Sequence, residues 1–300
     1  MTSKWKGVVY KFFLLLLMGI VVGEFVLILE TTGEFHTAAL YVGVPTFIAA
    51  LIIMLGAKTT SGPTGRVLKW TAVALLLSMP LFGVGAVCVL MASPVILAVA
   101  ALTGLAGDGY GKNKRKLRLS IIFPALAILS IEGTTEFTTM DRFEVVSVER
   151  IVPASAEAVE DRLAAEASFD QPLPLFLRLF PKVIYAGGAG LDPGDRRSVR
   201  LVGKRFYEIV DGNLVFEVAV RESNRVRFVP VQDTTMIAHW LSWRYSEVAW
   251  QPVDDQHTRV TWTLAFQREL DPFWYFAPLE RYGVSMAAEA LIDNVATPRN

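Results

Sequence analysis

A chain of 300 residues that is 53% hydrophobic, with 29 basic and 29 acidic residues and one cysteine, has room for two domains. Its zero formal net charge argues against nucleic acid as the main partner. The lone Cys88 excludes an intrachain disulfide and a thiolate metal cluster.

Charge is unevenly placed along the chain. Long apolar runs fill the first 133 residues, which predicts an all-α transmembrane region over 1–133, a linker over 134–142 and a soluble domain over 143–300. About five spans are expected, near 10–30, 38–56, 70–91, 94–107 and 117–133. Phe12 to Leu29 is taken as a retained first span, because its apolar core is too long for a secretory signal. Trp70 to Gly107 holds no charge over 38 residues and would reach about 57 Å as one helix, so it is expected to fold back. The Ser93-Pro94 pair places that turn near Ala92 to Pro94.

Basic residues set the expected orientation. Lys4 and Lys6, then Lys58, Arg66 and Lys69, then Lys112, Lys114, Arg115, Lys116 and Arg118 mark three segments for the cytoplasmic side of a bacterial membrane. The soluble domain falls on the extracytoplasmic side if Leu119 to Ile131 crosses as a fifth span, and stays in the cytoplasm if it does not. Glu24, inside the first span, is either a point of ion or proton passage or a protonated, helix-paired carboxyl. The Lys112 to Arg118 cluster serves as a topology signal or a contact for anionic lipid.

In the soluble domain, Phe143 to Val152 alternates as a strand ending at Pro153, and Ser155 caps a helix with Val159 and Leu163 on one face. Asp170 to Arg197 is rich in Pro and Gly yet contains the apolar run Leu173 to Phe180. That run predicts a short helix: a pocket lid, a membrane-surface segment or a small core helix. Strands are then expected over Ser198 to Val202, Phe206 to Val210, Asn213 to Arg221, Arg225 to Val231, Trp240 to Trp250 and Thr258 to Gln267. Asp211-Gly212 and Ser223-Asn224 supply tight turns, and Asp254-Asp255 opens another.

After Pro272 comes the aromatic segment Phe273-Trp274-Tyr275-Phe276, with Pro278 in the first turn of a final helix. Its wheel puts Arg281, Ser285 and Glu289 on one stripe. Leu279, Gly283, Met286, Ala287, Ala290 and Leu291 fall opposite. So many small residues predict unfilled space between helix and sheet.

The order of one strand, one helix, six further strands and a long last helix resembles the START-like helix-grip superfamily, which includes polyketide cyclase/dehydrase and lipid-transfer types. The matching residues are Thr258-Arg259-Val260-Thr261-Trp262 with Phe266, the Pro272 to Pro278 segment, and Leu279-Glu280-Arg281-Tyr282 leading to Ala290-Leu291-Ile292-Asp293-Asn294. The resemblance covers about Phe143 to Val295. It implies an α+β domain in which a curved antiparallel sheet and the C-terminal helix enclose a pocket for a lipid or other hydrophobic molecule. A multi-span N-terminal region departs from the soluble pattern of that superfamily.

The sequence contains no H-E-x-x-H, G-x-S-x-G or Walker A motif, and neither a metal site nor a cofactor is expected. Gly187-Gly188-Ala189-Gly190 reads as loop. The expected pocket lining is Phe216, Phe228, Trp243, Tyr245, Trp262, Phe266, Tyr275, Phe276, Tyr282 and Met286, the same residues that would otherwise make a filled core. Glu247, placed on the parity of Trp243 and Tyr245, and His239 are the candidate acid or base groups if catalysis occurs. Three functions follow: a membrane-anchored hydrophobic-ligand binder, a cyclase or dehydratase on a hydrophobic substrate, or a non-catalytic subunit with a protein partner.

Overall fold

The computed structural model describes residues 37–55, 62–82, 86–108, 112–205 and 208–298. Glu24 and the first expected span lie outside them. The chain divides into two compact units, the second taking in everything from Asp141 onward.

The first unit is helical. A π-helical turn, Ala39–Gly43, leads into α1 (Val44–Leu55), followed by α2 (Pro63–Phe82), α3 (Ala86–Gly107) and α4 (Lys112–Ser130). Small side chains let these helices approach. Ala49, Val67 and Ala100 are buried together from α1, α2 and α3, and a Cβ on Gly104 would stand 2.7 Å from the Thr64 Cα. Close backbone approach of this kind needs glycine. The Asp108 carboxylate accepts from the Thr64 N–H at 3.1 Å and from the Thr64 hydroxyl, filling donors left free at the start of α2.

The expected turn near Ala92 to Pro94 is overturned, since α3 runs through Pro94. Pro94 offers no N–H to the Leu90 carbonyl, and the Ser93 hydroxyl donates to that carbonyl instead, at 3.2 Å. Within the 38-residue run one helix ends at Phe82 and the next begins at Ala86. The expectation of about five spans is also corrected. Among the described residues one helix, Val87–Gly107, is long and apolar enough to cross a membrane, while Ala39–Ile53 and Ile121–Ser130 are shorter apolar helices. The apolar runs are shared out between helices that begin in polar sequence. α2 starts seven residues before Trp70 and includes Arg66 and Lys69.

The second unit is a seven-stranded antiparallel sheet followed by a long C-terminal helix. Strands β1 (Phe143–Val152), β2 (Lys182–Gly187), β3 (Arg196–Arg205), β4 (Glu208–Glu222), β5 (Arg225–Asp233), β6 (Leu241–Asp254) and β7 (His257–Arg268) form one antiparallel sheet in the order β1-β7-β6-β5-β4-β3-β2. Between β1 and β2 lie α5 (Ala156–Ala164) and a short 3-10 segment, Leu177–Leu179. The long helix α6 (Phe273–Leu291) follows β7 and ends in a π-helical turn, Ile292–Ala296.

Period-two burial decides which side of the sheet is inside. Val260, Trp262, Leu264 and Phe266 of β7 are buried, as are Val248 and Trp250 of β6, Val226 and Phe228 of β5 and Val218 of β4. They meet Val284, Ala288 and Ile292 from the C-terminal helix, and Val159 and Leu163 from α5. Burial of this apolar surface, at about 25 cal/mol per Å², is the main force holding the layers together. Ion pairs add orientation: Arg281 to Glu144 at 2.8 Å and Arg150 to Asp293 at 2.5 Å tie the helical end of the chain to β1.

Helix α5 begins as its sequence requires, with the Ser155 hydroxyl accepting from the Ala158 N–H at 3.3 Å. Its far end is held by a residue from the sheet. Arg197 of β3 donates to the carbonyls of Leu163 at 2.5 Å, Ala165 at 2.7 Å and Gly190 at 2.8 Å. The Leu163 and Ala165 carbonyls are acceptors that a helix C-terminus leaves without partners, and the bond to Gly190 ties the loop after β2 to the same point.

Three strand expectations change. β2 lies within the stretch expected to be irregular, on the edge of the sheet where short strands persist beside Pro and Gly. Asp211-Gly212 makes no turn, because β4 runs straight through it with Gly212 paired to Leu201. A Cβ there would come within 2.4 Å of the Thr234 carbonyl oxygen, so this glycine permits a close backbone approach. Lastly, β6 has a bulge between Trp243 and Tyr245 that reverses its parity.

Candidate functional site

The bulge decides which expected site residues meet. Trp243 pairs with Phe266 and turns inward, its ring centroid 6.3 Å from that of Phe266. Beyond the bulge Ser246, Val248 and Trp250 point inward, so Tyr245 and Glu247 face the opposite side. There Glu247 accepts from Arg227 at 2.7 Å, and the same guanidinium lies 4.6 Å over the Tyr245 ring. The placement of Glu247 on the Trp243 side is therefore corrected, and Tyr245 leaves the lining with it. His239 is exposed at the end of a 3-10 turn.

Five expected residues do come together. Phe216, Phe228, Trp243, Trp262 and Phe266 belong to one cluster on the concave side of the sheet. The Trp262 indole N–H donates to the Ser246 hydroxyl at 2.9 Å, which satisfies both polar atoms inside an apolar layer. The indole nitrogen of Trp243 is buried without a partner. On α6, Phe276 is buried against Tyr275 at a centroid distance of 4.9 Å, and burial raises the Tyr275 phenol above its ordinary pKa. Met286 is half-buried outside the cluster.

Tyr282 joins a different assembly. The apolar run Leu173 to Phe180 forms a strap around the 3-10 segment Leu177–Leu179. Phe176 lies 5.3 Å from Tyr282 of α6 and 5.2 Å from Phe180, and Phe180 lies 5.4 Å from Trp240 at the entry to β6. Gly283 makes room for this contact, since a Cβ there would meet the Phe176 ring at 3.1 Å. The strap thus links helix to sheet through four rings, while Leu175 and Leu179 stay exposed on it.

Sequence reading missed the buried polar groups. Phe276, Glu280, Val284 and Ala288 form the buried stripe of α6, one position away from the expected one, and Glu280 is only 5% exposed. Neither of its oxygens has a hydrogen-bond partner. Burial pushes its pKa up to about 9; Arg268 works against that shift, and Glu144, Glu269 and Asp271 add to it. Arg268 is the next inward residue of β7 after Phe266 and is wholly buried, paired to the equally buried Asp271 at 2.5 Å. The signals were present: the period of β7 extends to Arg268, and i, i+4 spacing from Phe276 reaches Glu280.

No protein-family model matches this chain, and no curated protein matches it significantly. Solved structures do. A START superfamily protein from Mycobacterium smegmatis is 17% identical over 50% of this chain and 96% of its own, with a TM-score of 0.34. The Zhui aromatase/cyclase from Streptomyces sp. R1128 is 15% identical over 50% of this chain and 92% of its own, with a TM-score of 0.33. A truncated norcoclaurine synthase from Thalictrum flavum is 9% identical over 52% of this chain and 96% of its own, with a TM-score of 0.34.

Proposed function

We propose that the C-terminal domain binds a hydrophobic or amphipathic small molecule between the concave face of the sheet and α6, and that the N-terminal helices hold it at a bilayer. The observation that carries this reading is the aromatic strap from Trp240 through Phe180 and Phe176 to Tyr282. A segment with exposed leucines, joined to both helix and sheet by ring contacts, suits a cover that lifts to admit an apolar guest. The driving force is burial of the guest's apolar surface against Phe228, Trp243 and Phe266.

Membrane attachment is supported by the apolar helix Val87–Gly107; an extracytoplasmic domain requires that α2 and the shorter apolar helix Ile121–Ser130 cross as well, which the placement of the basic segments favours. The cyclase or dehydratase reading is less well supported, because Glu247 faces away from the concave side and His239 is exposed at the end of a 3-10 turn.

Native mass spectrometry of the full chain released from mild detergent tests the reading. A co-purifying small molecule that is lost in Trp243→Ala is expected. An interior that carries no guest, and takes up no fluorescent lipid probe, would sink it.

A further inference from the structure

The inward row of β7 ends in a guanidinium that is only partly used. Arg268 Nη1 donates to the Asp271 carboxylate at 2.5 Å and to the Leu270 carbonyl, whereas Nε and Nη2 are buried without partners. Those two nitrogens form one edge of the planar group, the edge that grips a carboxylate through two parallel N–H···O bonds. Asp271 is not free to turn toward it. Its other oxygen accepts from Arg142 at 2.5 Å, so one carboxylate serves two guanidinium groups.

The other acids nearby leave the edge open as well. Glu144 is taken by Arg281, and Glu269 accepts from the Ser242 hydroxyl at 2.5 Å. Glu280 stands on the facing helix, and no ion pair within 4.0 Å joins it to Arg268. An open donor edge and an unpartnered carboxyl therefore share one buried layer. Each is a buried polar group left unsatisfied, and one polar guest reaching both would satisfy both.

We propose that Arg268 and Glu280 anchor the polar end of the guest, with the carboxylate of an amphipathic acid on the Nε and Nη2 edge of Arg268 and Glu280 donating to the same group. This rests on the hydrophobic-ligand reading and narrows it to acids. The tail then runs along Phe266, Trp243 and Phe228, which follow Arg268 on the concave face. Burial keeps the Glu280 carboxyl neutral, so it supplies a hydrogen rather than a repelling charge. An ester or alcohol of the same tail offers the fork a neutral acceptor, so it is held by weaker hydrogen bonds than the carboxylate.

The test is to incorporate the full chain in phosphatidylcholine nanodiscs and titrate it with cis-parinaric acid and with its methyl ester, followed by energy transfer from tryptophan. The acid is expected to bind about tenfold more tightly than the ester, the size of one added charged hydrogen bond. Arg268→Lys retains a cation for Asp271 and lacks the fork. It is expected to shrink that preference, with the loss falling mainly on the acid, and Glu280→Gln, which keeps a neutral donor, to preserve it. Comparing each variant with wild type cancels the different partitioning of acid and ester into lipid. Equal binding of acid and ester by the wild-type chain, each corrected for its uptake by empty nanodiscs, overturns the anchor and leaves the apolar site standing. If neither probe binds, the hydrophobic-ligand reading falls and takes the anchor with it. The wild-type comparison needs no variant, so a substitution that fails to fold does not blunt the test.

Discussion

Trp243 and Tyr245, two positions apart in β6, lie on opposite faces of the sheet because a bulge separates them. Trp243 packs against Phe266, and Tyr245 sits under the Arg227 guanidinium on the outer side. Trp243→Ala should cost about 3 kcal/mol of domain stability and weaken a hydrophobic probe. Tyr245→Ala removes only an exposed cation–π contact, worth about 1 kcal/mol or less, and should leave the probe untouched. Thermal unfolding and probe titration of the two variants check this directly, and equal effects would mean that the faces are misassigned.

Arg197 donates to the Leu163 and Ala165 carbonyls at the end of α5 and to the Gly190 carbonyl, so its loss removes a donor from three buried or part-buried acceptors. Arg197→Met, close in shape and without N–H groups, should cost about 2–4 kcal/mol. The midpoint of tryptophan-monitored unfolding should fall by several degrees. Arg196→Met, on the exposed side of the same strand and paired only to Glu217 at 2.8 Å, should scarcely move it.

The helix-grip architecture was legible in the sequence because it is written in local periodicity. Strand alternation from Val260 to Phe266, the Ser155 cap and the Pro272 boundary are each set by neighbours along the chain. What was not legible depended on distant partners. The inserted residue that flips Tyr245 and Glu247 shows only against β7. Gly212 looked like a turn because its need for space comes from Thr234, and β2 is held only by its pairing to β3. Glu280 was hidden by its charge, since a helix glutamate is ordinarily assigned to solvent.

The strap makes a kinetic prediction. Phe176 touches Phe180, Tyr282 and the space over Gly283, so Phe176→Ala loosens the cover without touching the concave face. Probe association and dissociation should both accelerate, with a smaller change in affinity. Stopped-flow energy transfer in nanodiscs reads both rates. Unchanged rates would remove the strap from the entry path.

Reporter fusions examine the proposed orientation. With the basic segments inside and the C-terminal domain outside, alkaline phosphatase fused after Asn300 should be active and green fluorescent protein at the same place dark. The reverse pattern would put the domain in the cytoplasm.

Glu280 gives the stability of the domain a pH dependence of definite sign. Unfolded, its carboxyl titrates near the ordinary 4.5; folded, burial pushes it up to about 9 despite the nearby Arg268. Between those values the folded chain holds a proton that the unfolded chain has released. Stability therefore falls as pH rises through that window, by at most about 1.4 kcal/mol per pH unit for one proton. Below 4.5 both states are protonated and this group contributes no slope. Glu280→Gln keeps the shape and removes the titration, so the variant should gain on wild type steadily from about pH 5 to pH 9. The pairs Asp271 with Arg142 and Arg268, and Glu144 with Arg281, are common to both proteins. The difference between the two denaturation curves isolates Glu280 to that extent. A difference that stays flat across the window would mean that the carboxyl ionises in place, with a partner or water that compensates its burial.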